Sequence, residues 1–595
     1  RAAPLEELKA KGKIVVSGVR CPLLVVYDRG AVRALDNRCP HLGFPLHRGS
    51  VEDGILTCHW HHARFDLSSG ATFDLWADDV PTAEVRIIDG EVWVAADCAL
   101  PDQAEHWRRR LNDGLAHNIS LVIGKAILGA RAAGVPDGEL VRDVALFGAR
   151  HRDGWGTGLT TLTALANLLP SLPDEERFLA LFHGARSVAA DCDDEPPRRD
   201  NLPLEGSDAS LETLERWLRH WTRVRHRDGA ERTLMTAIAG GAGPSRLARM
   251  LLTAVTDRYF AGGGHALDFI NKAFECLDLI GWQHASALLP TVVGQLVSAR
   301  GAEETNSWRH PTDLFQLLEA AFADLPDPIE RAGSDPAPFS DHSGLARDLL
   351  ADDPVAIVDA LRGALARGAA PTDLSRALVY AAALRIARFG TNNELSDWDT
   401  AHHCFTYCNA LDRLLARATA TEGENADGAP ACLRGVFHGA MALYLTRYLN
   451  VPPARLPGEG GDSLEDLPSA ADELCDRLLE ALDRQQQVTE CARLVARFLG
   501  LGHPADRCIE TLAHGLLRED AGFHTIQMFE AGICQHRDRD DGEERRNILI
   551  AVARYLAAHS PTRRARYQTA SIARRLHRGG RIYEDETEDA PAPDA

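Results

Sequence analysis

Cys39-Pro40-His41-Leu42-Gly43 and Cys58-His59-Trp60-His61-His62 decide how this chain of 595 residues is read. The spacing is Cys-x-His, sixteen residues, then Cys-x-x-His. Each half offers one thiolate and one imidazole, the donors that hold zinc or iron. Gly43 lets the backbone turn tightly behind the first pair. Phe65-Asp66-Leu67-Ser68-Ser69-Gly70 follows the second.

Two Cys and two His in this interleaved order are also the ligand set of a Rieske [2Fe-2S] centre, in which two His replace two Cys on one iron. Imidazole is neutral and thiolate anionic, so such a cluster accepts an electron more readily than an all-Cys one. Residues 4–97, with their two boxes and flanks, resemble a Rieske ferredoxin-type domain. The resemblance implies Cys39, His41, Cys58 and His61 as the cofactor-binding and metal-ligating residues. A Cys2His2 zinc site is the competing assignment; the order of the pairs and their flanks argue against it. His62 stands where many Rieske domains have Gly, and His59 where Pro is common. The two-residue gap selects His61 over His62. Phe44 and Trp60 occupy the places of the extra cysteine pair of cytochrome-bc-type Rieske proteins, which implies the ferredoxin and oxygenase branch.

The formal net charge of −21 makes nucleic acid and anionic membranes poor partners. No apolar run reaches membrane-spanning length, so no membrane insertion is expected. Arg1-Ala2-Ala3-Pro4 leads into a charged helix and does not read as a signal peptide. The thirteen cysteines show no disulfide framework, which suits a cytoplasmic protein. Cys404 and Cys408, one helical turn apart, read as buried free thiols.

The expected fold is multidomain: a small antiparallel β Rieske domain, then a large all-α region made of two duplicated helical modules. Val15–Val16, Leu23–Tyr27, Ala31–Leu35, Val85–Ile88 and Val92–Val94 read as strands between Gly and Asp-Gly turns. From Asp102 to about residue 578 the spacing is helical. Trp155 and Thr163 recur as Trp398 and Thr406, Phe182-His183-Gly184-Ala185 as Phe437-His438-Gly439-Ala440, and His265 is matched to His514. The displacements are 243, 255 and 249 residues. The expected segments are 4–97 (Rieske), 104–323 and 346–578 (helical modules), 324–345 (a Pro-rich linker) and 584–595 (a disordered acidic tail).

For the helical region the catalytic candidates are His183, His265, His438 and His514. His514, Glu519, Asp520 and His524 read as one helical stretch with Asp520 and His524 on one face, and Glu275 takes the place of His524 in the first copy. Asp399 pairs with His402 or His403 at i+3 or i+4. Such carboxylate–imidazole pairs suit a second iron, although the Glu-x-x-His signature of di-iron bundles is absent. Against this, a His beside Gly in a helix is commonly a packed core residue. No dinucleotide fingerprint or Walker A motif is present, so an electron-donating reductase or ferredoxin is implied as partner. His117-Asn118 and the apolar run after it resemble, more weakly, the opening of the questin-oxidase-like helical proteins. The arginines from Arg563 to Arg581 make a basic patch, either a dock for an acidic reductase or anionic substrate or a solvated helix end. The function expected is a Rieske oxidoreductase passing single electrons to a redox step on a small-molecule substrate, oxygenation being one form. The alternative is a Rieske electron carrier or redox sensor with a helical interaction scaffold.

Overall fold

Pro22–Asp28 is apolar on both faces, and a strand of that kind belongs in the middle of a sheet. In the computed structural model, which describes residues 1–17, 21–96, 98, 102–332, 339–420 and 429–582, it does lie there. As β3 it pairs antiparallel with β2 (Lys13–Ser17) and with β4 (Ala31–Asp36), and β4 pairs with β8 (Thr82–Ala83). A second sheet orders β1 (Ala3–Pro4), β10 (Glu91–Val94) and β9 (Val85–Ile88); a third orders β5 (Ser50–Glu52), β6 (Ile55–Thr57) and β7 (Arg64–Asp66). Three two-residue turns, Arg29-Gly30, Asp53-Gly54 and Asp89-Gly90, have positive φ at both positions, the geometry that matches hairpin twist. The strands expected from the sequence are present. The β5–β7 sheet was not anticipated, and it carries the second ligand box.

Two apolar cores fill these sheets. One surrounds Leu8, Val25 and Val92. The other gathers Leu24, Leu35, Leu56, Phe65 and Val80 around the buried Cys39 and Cys58.

The chain divides into two compact units, residues 1–140 with 565–595, and 141–564. In the first, the helix Ser120–Ala132 packs against Gln103–Ala116 and against Ala565–His577. In the second, the described residues form helices and no strands. Its 25-residue helix Leu395–Thr419 packs against Pro244–Val255, His265–Ile280, Pro371–Ala387, Ala429–Leu445 and Phe523–Arg537. Within the expected linker, Pro326–Ala332 and the start of His342–Asp348 are helical. The acidic tail lies outside the described residues. Among the described residues no helix is long and apolar enough to cross a membrane.

Candidate metal centre

Both ligand boxes sit at the tips of closed loops. After β4 the chain turns back on itself: Cys39 N–H donates to Phe44 O at 2.8 Å and Gly43 N–H to Cys39 O at 2.8 Å. Gly43 has φ +88°. The second box closes the β6–β7 hairpin, where Cys58 N–H donates to Ala63 O at 2.8 Å. His62 takes φ +62° there. The backbone thus keeps the left-handed turn a Gly would adopt with least strain.

These turns bring the four side chains together. The Cys39 and Cys58 thiols, standing where metal-bound thiolates would be, hydrogen-bond to each other. That contact lowers Cys58 to about 6 and, with burial, pushes Cys39 up. Backbone N–H groups of Trp60 and His61 point at the Cys58 sulfur, and that of His41 at the Cys39 sulfur. The His41 and His61 rings lie 4.9 Å apart, edge to face. His41 is half-buried, with Trp76 4.8 Å from its ring, while His61 is exposed beside Trp60. Desolvation, with His61 and Lys125 nearby, lowers His41 to about 4.

One atom tests whether a cluster fits. His41 Nδ1 is buried without a hydrogen-bond partner. A buried polar atom without a partner costs free energy unless something binds it. Here it sits with two sulfurs and a second imidazole, so the donor set fits an iron–sulfur group.

The first loop is also held from outside. Lys125 donates to Pro40 O and pairs with Asp78, which is 2% exposed. Arg110 reaches Asp78 Oδ1 at 3.3 Å, Leu75 O at 2.8 Å and Ala77 O at 2.6 Å. Ile582 N–H donates to Leu42 O at 3.1 Å, and a Cβ on Gly43 would lie 2.6 Å from Arg581 Cβ.

The helical candidates separate. His183 is core: its Nε2–H donates to Leu517 O at 2.9 Å. His438 is fully buried, 4.4 Å from the Tyr259 ring, and desolvation lowers it to about 3. His514 donates to Glu176 Oε1 at 3.1 Å and is 36% exposed. The stretch from His514 to His524 is not one helix. It breaks between Leu517 and Phe523, so Asp520 and His524 do not pair as i, i+4 neighbours. Glu519 is taken by Thr562 and Arg564, and Glu275 by Lys272 and Asn271.

His265 instead meets His403 and His524, their donor atoms all within 4.8 Å of one another. His403 Nε2 and His524 Nε2 are 3.0 Å apart. Asp399 Oδ2 lies 3.6 Å from His524 Nδ1, and Asp399 Oδ1 accepts the Tyr555 hydroxyl at 2.6 Å. The sequence named His403 and His524 only within local pairs. The usable signal was that Asp399 and His403 share one face of a helix, while His265 and His524 each open another.

The family model of the Rieske [2Fe-2S] domain matches residues 1–83. Human apoptosis-inducing factor 3 is 35% identical over 127 residues, covering 20% of this chain and 20% of that protein. The mouse protein of that name is 32% identical over 128 residues with the same coverage, so the chain spans about a fifth of the length of these relatives. The ferredoxin of carbazole 1,9a-dioxygenase from Nocardioides aromaticivorans is 28% identical, with a TM-score of 0.16, covering 16% of this chain and 94% of that one. With its four donors at two hairpin tips, the region 1–83 belongs to the Rieske [2Fe-2S] domain family.

Proposed function

We propose that this chain is a cytoplasmic Rieske oxidoreductase whose domain 1–83 serves a redox step in the helical unit. A reductase or ferredoxin is the donor and a small molecule the substrate; oxygenation is one form of the step, and a second iron belongs to the same proposal. When bound, a [2Fe-2S] centre takes up and releases one electron at a time. Cys39 and Cys58 would hold one side of it from the apolar core, and His41 and His61 the other. The observation that carries this is the buried, partnerless His41 Nδ1 in the same loop pair as two buried thiols that perturb each other. His61 is exposed beside Trp60, so a redox partner can approach this edge, while the half-buried His41 ring packs against Trp76. On the same reading the segments 104–323 and 346–578 descend from one module. In support, Thr163 and Thr406 each hydrogen-bond back to the carbonyl four residues earlier, and His183 and His438 are both buried in the helix that follows.

A carrier or sensor on a helical scaffold remains the second reading. It is favoured by His183 and His514, each satisfied by a protein partner. A potentiometric titration of the full chain tests the electron-transfer role. A reversible one-electron transition is expected; its absence in protein that carries iron and sulfide would overturn it. Substrate-dependent reoxidation separates enzyme from carrier.

A further inference from the structure

We propose that His265, His403 and His524 form a three-imidazole site for a divalent first-row transition metal, with a position left for water or an exogenous ligand. The inference deepens the proposed second iron and rests on that reading only for what the metal does. Its occupancy stands on these residues alone.

Three elements far apart in sequence converge here. His403 lies in the third turn of Leu395–Thr419, His265 opens His265–Ile280, and His524 is the second residue of Phe523–Arg537. Two nitrogens bound to one metal at ~2.1 Å sit roughly 3.0–3.4 Å apart. His403 Nε2 and His524 Nε2 already stand at 3.0 Å. A ring nitrogen of His265 completes the set within 4.8 Å, so closure asks for a movement on the order of 1 Å. Among the described residues no protein group hydrogen-bonds the His265 ring. A simple His403–His524 hydrogen bond would account for two of the rings and leave the third, packed beside Phe269 and Phe523, without a polar partner.

The surroundings suit a metal. Metal-bound imidazoles commonly turn their other nitrogen to a carboxylate, which fixes the ring and raises its basicity. Asp399 faces His524 Nδ1 in this way and is itself anchored by Tyr555. His402, next in the chain to His403, is fully buried with both ring nitrogens partnerless, 5.1 Å from the His524 ring. The backbone is built for the approach. Gly262, Gly263 and Gly264 all have positive φ, and a Cβ on Gly264 (φ +99°) would lie 3.2 Å from His403 O. Three imidazoles without a protein carboxylate or thiolate in the set match borderline ions such as Fe2+, Co2+ or Zn2+ rather than Ca2+ or Mg2+.

The test is a Co2+ titration of the chelator-stripped full chain with its iron–sulfur iron retained, read by visible d–d absorption and by X-ray absorption at the cobalt edge. The wild type should take one Co2+ per chain with imidazole scattering, and His514→Ala should match it. His403→Ala and His524→Ala should lose stoichiometric binding, and Asp399→Asn should weaken it by about 10–100-fold, with the Rieske EPR signal unchanged throughout. Failure of the wild type to bind Co2+, Co2+ ligated by oxygen alone, or full binding by a folded His403→Ala or His524→Ala variant would overturn the site. Should those variants not fold, the wild-type cobalt-edge spectrum decides. Loss of the Rieske signal with Co2+ binding intact would instead count against the electron-transfer reading.

Discussion

Replacing Lys125 by Met should weaken the first unit through one carboxylate. Asp78 is fully buried, and burial alone would raise its carboxyl; Lys125 and Arg110 outweigh this and hold it below its ordinary value. Without Lys125, Asp78 keeps only Arg110, at 3.3 Å. Breaking a buried pair on one side costs about 3–5 kcal/mol. The remaining guanidinium argues for the lower end, about 3 kcal/mol, or roughly 6–12 °C in Tm for a unit of this size. The sign follows from linkage. A depressed carboxyl contributes stability above its unfolded pKa of about 3.9, lost as pH falls through the lower folded value. The gap between wild type and Lys125→Met should therefore be full at neutral pH and narrow as pH drops below about 4. Lys125 also holds Pro40 O, between two ligands, so the variant should shed its cluster sooner. Following the Rieske visible absorption on heating at several pH values reports this unit directly. The double variant Lys125→Met/Asp78→Asn should recover part of the loss, because no charge is left buried. A single variant melting with the wild type at neutral pH, or a double variant no better than the single, would refute the reasoning.

Exchanging the adjacent histidines separates ligand from turn: His61→Gly should abolish the Rieske EPR signal, whereas His62→Gly, at φ +62°, should keep it and melt no lower than wild type. Gly43→Ala should cost about 2 kcal/mol or more, from a left-handed φ and a Cβ 2.6 Å from Arg581 Cβ, and should speed proteolysis after Arg578; unchanged cleavage would mean residues 579–582 do not rest on this loop. His183→Ala, which removes the bond to Leu517 O, should lower stability by about 1–2 kcal/mol in chemical denaturation and leave cluster and Co2+ binding intact.

What the sequence revealed follows from how local each feature is. Cys39, His41, Cys58 and His61 were legible because each pair is set by a tight loop, and loop spacing is written in sequence. β3 and β4 were legible as β-rich apolar runs long enough to stand out between Gly-containing turns. β5, β6 and β7 are three residues each, too short to do so, and their pairing depends on the Asp53-Gly54 turn and the ligand loops. The His265, His403 and His524 cluster joins residues more than a hundred positions apart, and only tertiary packing brings them together. The helix expected from His514 to His524 failed because Glu519 is held by Thr562 and Arg564, so side-chain pairing from a distant segment prevails over helical spacing. The separation of His183, which bonds a backbone carbonyl, from His265, which does not, depends on neighbours that periodicity does not name.

The central claim is that four residues at two hairpin tips hold a Rieske cluster. Acid-labile sulfide and iron per chain, with EPR of the dithionite-reduced full chain, test it most directly. The account predicts sulfide in the ratio of one [2Fe-2S] group per chain and a Rieske-type signal, both lost in Cys39→Ala and Cys58→Ala. Zinc at this site without sulfide, or a Rieske signal that survives either substitution, would contradict it.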